Sequence, residues 1–163
     1  MLDFYFRRPV LLDIFFGLIL CLSTYVLIQN NFLTFPDSDR ILSITSDISN
    51  IGLTSAGFIL TLLTVLISFK SGSKITKDNY KEENSVFEIF FASKLYFTTT
   101  RILKNSIKSL ILVSITGFLI KTLIDQNQMH FLLFFNVFSI TIIGLTLGRC
   151  LLIFSHILKL QDN

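Results

Sequence analysis

The chain has 163 residues, of which 52% are hydrophobic and only 15% charged, whereas a soluble domain carries about 25% charged residues. With a mean hydropathy of +0.68, this composition excludes an ordinary water-soluble globule. The formal net charge is +3, and its distribution along the chain says more than its size.

Apolar runs fall at residues 10–28, 48–69, 107–124 and 131–154. Each is long enough to cross a hydrocarbon core of about 30 Å as a helix. The fold class is therefore an all-α membrane protein with four transmembrane helices in a single membrane domain. These spans and their connections leave no length for a separate soluble catalytic domain. Trp is absent, so anchoring at the interface falls to Tyr5, Tyr25, Tyr80, Tyr96 and the Lys and Arg side chains.

The first run follows Arg7 and Arg8 and is interrupted by Asp13. It lacks a small-residue cleavage site and reads as a retained first span rather than a signal peptide. Asp13 is a candidate functional group, because an intramembrane carboxylate is costly. A proton-coupled carrier would use one. The structural alternative is a shallow Asp that pairs with Arg7, Arg8 or Arg149. Asp13, Gly17 and Thr24 share a face.

Residues 30–47 are expected to form an acidic loop, with Pro36 and the run Asp37-Ser38-Asp39 as a turn signal. The second span carries Asn50, Thr54, Gly57, Thr61, Thr64 and Ser68 at spacings of 4, 3, 4, 3 and 4, which places them on one face. Small and hydroxyl side chains in a span serve close helix packing, within the chain or between copies. They could also line a polar conduit in an oligomer. Ser71-Gly72-Ser73 is expected to end this helix.

Residues 70–106 hold the largest non-membrane segment. Ser85 and Glu88 have capping-box spacing, and no Pro or Gly intervenes before Thr116. The spacing therefore predicts a helical extension running into the third span, with Thr98-Thr99-Thr100 as the place for a bend. Lys94, Arg101 and Lys108 repeat every seven residues, with Lys104 on the same side and Phe87, Phe90, Phe91 and Phe97 as apolar neighbours. Anionic lipid headgroups would attract such a face, and so would an acidic cytoplasmic partner. No Gly-rich phosphate loop is present, and direct nucleic-acid binding is not expected.

In the third span Ser114, Gly117 and Lys121 align. The fourth contains Gly144 and Gly148 as a G-x-x-x-G pair, with Thr141 and Ser155 alongside. Cys21 and Cys150 fall at different depths of their spans, so a disulfide between them is not expected.

Twelve of the fourteen Lys and Arg side chains lie on one side if both termini are cytoplasmic, leaving only Arg40 and Lys121 outside. The positive-inside rule then predicts an N-in, C-in topology. The sequence offers no nucleophile with a base and orienter, no H-E-x-x-H and no metal cluster. His130 and His156 stand at opposite ends of the last span. Neither catalysis nor a cofactor is expected.

The run from Gly57 to Phe69, followed by a polar loop and a Phe-rich amphipathic helix entering the third span, resembles small bacterial membrane proteins encoded beside anti-phage genes. The membrane subunit of the Kiwa defence system is of this kind. The resemblance covers architecture over roughly residues 48–124. It implies a bacterial inner-membrane, non-enzymatic scaffold or sensor that forms a homo-oligomer and recruits a cytoplasmic effector, here through residues 85–108. A pore-forming or membrane-disrupting effector and a small carrier built on Asp13 are the competing expectations.

Overall fold

The structure, a computed structural model, describes residues 9–75, 94–125 and 128–159. It contains four long helices, α1 (Pro9–Gln29), α2 (Ser38–Ile75), α3 (Lys94–Leu123) and α4 (Met129–Lys159). All four are long and apolar enough to cross a membrane, so the chain is a multi-pass membrane protein. The Ser85–Glu88 capping signal, Phe87, Phe90 and Phe91 lie outside the described residues.

The helix ends follow from local chemistry. Asn31 has a φ of 59° and closes α1. The Phe32 N–H donates to the Leu27 carbonyl at 3.0 Å, and the Asn31 N–H to that of Ile28 at 3.1 Å. This is a Schellman cap, with Asn in the left-handed position it tolerates better than most residues. The α2 helix begins at Ser38, with the Ile41 N–H donating to the Asp37 carbonyl at 3.1 Å. Asp39 in its first turn faces the positive end of the helix dipole. Most of the acidic segment expected to be a loop is thus the first turns of α2. At its other end α2 runs through Ser71-Gly72-Ser73 to Ile75, because one glycine weakens a helix without ending it. Likewise, α3 is continuous through Thr98-Thr99-Thr100.

The α2, α3 and α4 helices form the core, and each buries a face at three- and four-residue spacing. On α2 this face includes Ile41, Thr45, Ile48, Gly52, Ala56 and Ile59; on α3 Tyr96, Thr99, Leu103, Ser106 and Leu110; on α4 Leu132, Asn136, Ser139, Ile143, Thr146 and Cys150. A seven-residue repeat keeps the seam facing its partner helix, as in a left-handed coiled coil. Lipid is as apolar as leucine, so apolar burial alone cannot hold these helices together. The inner faces are accordingly rich in Ser, Thr and Gly, while Leu, Ile and Phe crowd the exterior.

The closest seam joins α2 to α3. A side chain on Gly52 would collide with the Ser114 hydroxyl, and one on Gly117 with the Ser49 hydroxyl. Each helix thus offers a glycine to the other's serine. Ser49 and Ser114 turn their hydroxyls back to the carbonyls of Thr45 and Leu110, at 2.8 and 2.9 Å. In contrast, α1 lies outside this three-helix core and packs chiefly on α4. Most of its large apolar side chains, Leu11, Phe15, Leu18 and Leu22 among them, are exposed.

Candidate functional site

The polar groups fall into an internal ion pair, an internal polar seam and two outward faces. The ion pair joins α1 to α4. Arg149 donates from Nη2 to Asp13 Oδ2 at 2.8 Å, and the two residues are 2% and 3% exposed. The same nitrogen lies 3.4 Å from the Thr146 hydroxyl. Asp13 can reach across because Gly17, one turn on, lets the helices close. A Cβ there would stand 2.7 Å from the Phe138 ring. Further along, the Cys21 thiol contacts the Phe134 carbonyl at 3.4 Å, and the Tyr25 and Phe134 rings lie 6.2 Å apart. Of the structural partners open to Asp13, the pair uses Arg149; Arg7 and Arg8 lie outside the described residues.

The polar seam runs inside the core. Asn136 donates to the Ile41 carbonyl at 3.2 Å, and the Thr45 hydroxyl donates to the same oxygen at 2.8 Å. Asn136 Oδ1 and the Ser139 hydroxyl are buried without a hydrogen-bond partner. Towards the other end, the Cys150 thiol meets the Ser106 hydroxyl at 3.7 Å. Both cysteines are free thiols. Lys121 donates to the Ser46 hydroxyl of α2.

The first outward face is the α2 stripe. Asn50, Thr54, Gly57, Thr61, Thr64 and Ser68 are all exposed, and no neighbouring helix comes within 4 Å of where a Gly57 side chain would begin. Thr54, Thr61 and Thr64 donate to the carbonyls of Asn50, Gly57 and Leu60, at 2.9 to 3.0 Å, so these hydroxyls tolerate an apolar surrounding. Gly144 and Gly148 of α4 are exposed too, with nothing near them. Among the described residues, close small-residue packing within the chain is therefore the work of Gly17, Ser49, Gly52, Ser114 and Gly117, and neither the stripe nor the G-x-x-x-G pair contributes to it.

The second outward face is basic. Arg101, Lys104 and Lys108 are exposed on α3. Lys94 opens that helix, and its side chain lies outside the described part. Lys70 of α2 sits 4.1 Å from the Tyr96 ring centre and 4.3 Å from that of Phe97. This cation–π clamp pins the ends of α2 and α3 together. Nothing in the sequence spacing relates Lys70 to Tyr96, so the clamp was not legible there.

Family models, curated proteins and solved structures were all compared with the chain, and none matches.

Proposed function

We propose that the chain is a non-enzymatic scaffold or sensor subunit of a bacterial inner-membrane assembly, of the anti-phage defence kind, with both termini cytoplasmic. Copies associate through the outward stripe of α2 and the Gly144–Gly148 face of α4. A soluble effector docks at the basic end, on Lys94 and Arg101. The observation that carries this reading is the second small-residue face on α2. It repeats at helix-packing spacing, yet among the described residues it packs against no other helix. The basic, aromatic beginning of α3 supports the docking part. The charge bias of the sequence supports the orientation.

The carrier reading loses its main support, since engagement with Arg149 accounts for a buried Asp13 without transport. A pore remains the competing use of the same stripe. Co-purification from native membranes tests the docking part. Lys94→Glu with Arg101→Glu should abolish recovery of a stoichiometric soluble partner while leaving the membrane level unchanged. Unchanged recovery would refute docking at this end. Conductance by purified oligomers in planar bilayers, lost in Thr61→Leu, would favour the pore.

A further inference from the structure

We infer that Lys104 and Lys108, with Asn105, form a binding site for the phosphate of an anionic phospholipid, drawn below the ordinary headgroup level on the outer side of α3. The contacts between α2 and α3 fix the register of the two helices. Lys70 meets Tyr96, Gly52 meets Ser114, Ser49 meets Gly117, and Ser46 meets Lys121. Each step along one helix is thus matched by one step back along the other. That register sets Lys104 level with Leu62 and Lys108 level with Phe58 of α2.

At that level the outer surface of α2 sets apolar side chains beside Thr61 and Thr64, whose hydroxyls are bonded back to their own helix. Phe58 is 61% exposed, and Leu60 and Val65 are exposed beside it. Counting from Lys121, Lys108 stands about 20 Å along the helix and Lys104 about 26 Å. A hydrocarbon core of about 30 Å that begins near Lys121 therefore ends near Arg101. Lys104 can bring its ammonium to the boundary by leaning toward the helix N-terminus. Lys108 starts about 10 Å inside that boundary and falls short of it.

The occupant must be anionic and must fit among acyl chains. The described part of a second copy offers no exposed carboxylate at this depth. Among the described residues the carboxylates are Asp13, buried against Arg149, and Asp37, Asp39, Asp47 and Asp125, all toward the opposite end of the bundle. A phospholipid supplies both parts, with its phosphate on the lysines and Asn105 and its chains along Leu112 and Ile115, which are exposed on the same side. This site is separate from the proposed effector contact, which lies at the helix tip.

Native mass spectrometry of the full chain, released from nanodiscs of equal phosphatidylglycerol and phosphatidylethanolamine, tests it. The wild-type chain should retain phosphatidylglycerol preferentially. Lys104→Gln with Lys108→Gln should reduce that preference by roughly thirtyfold, the effect of two basic groups at an anionic surface. Lys104→Arg with Lys108→Arg should keep it, and Lys94→Glu with Arg101→Gln should leave most of it. Equal retention of the two lipids by the wild-type chain would overturn the proposal. So would a preference that survives the Gln pair, loss in the Arg pair, or a lysine-dependent dimer without lipid.

Discussion

Two seams hold this bundle together by different means. Between α2 and α3 the contact is one of shape, with glycine set against serine in both directions and hydroxyls returned to their own helices. Between α1 and α4 it is one of charge, the buried Asp13–Arg149 ion pair backed by an aromatic ring over Gly17. The difference reflects what a lipid solvent permits. Large apolar side chains gain little by leaving lipid for protein, so a helix is held either by close backbone approach or by a polar group that lipid cannot satisfy. The core helices use the first means where Ser49 and Gly52 meet Gly117 and Ser114, and add polar contacts toward the ends, Lys70 over Tyr96 and Lys121 on Ser46. The outlying α1 depends on the second at one end.

Breaking the charged seam should have the largest effect. Arg149→Leu leaves Asp13 buried without its guanidinium and should destabilise the folded subunit by about 3–5 kcal/mol. Steric trapping or a detergent denaturation series would measure this. The double variant Asp13→Leu with Arg149→Leu should recover much of the loss, because both charges are then gone. A double variant as damaged as the single one would show that the pair does not act as a unit.

The shape-based seam should respond to bulk instead. Gly52→Leu or Gly117→Leu forces the helices apart and should cost about 1–3 kcal/mol in the same assay, while changes of charge nearby should matter little. Weaker still should be Asn136→Leu, which removes the donor to the Ile41 carbonyl. Bonds between helices in membranes are worth about 0.6 kcal/mol on average. The smallest effect on the subunit itself belongs to the outward face. Thr61→Leu and Gly144→Leu should shift its stability by no more than about 0.5 kcal/mol, though both should weaken association between copies.

Four helices long enough to span, and their limits to within a few turns, were legible because hydropathy reports the lipid solvent directly. So was the partnership open to Asp13, since charges at similar depth must find one another. The inner face of α2 was harder to read. Two small-residue faces repeat at the same spacing on that helix, one through Thr45, Gly52 and Ala56 and the other through Thr54, Gly57 and Thr61. In water the polar face would be the outer one, but in lipid both sides are apolar enough to serve, and composition cannot rank them. The reciprocal glycine–serine contacts decide it, and they depend on the register between two helices. Lys70 over Tyr96 was illegible for the same reason. The start of α2 was missed because its acidic first turns look like a turn-forming loop, although Asp37 and Asp39 are also what a helix N-terminus favours.

The most direct test of the proposed association is the mass of the intact complex, purified in mild detergent from native membranes, for the wild-type chain and for Gly57→Leu with Thr61→Leu. The proposal predicts a closed homo-oligomer for the wild-type chain and a shift to monomer in the variant, whose own fold persists by circular dichroism. A wild-type monomer, or an oligomer of unchanged size in the variant, would contradict it.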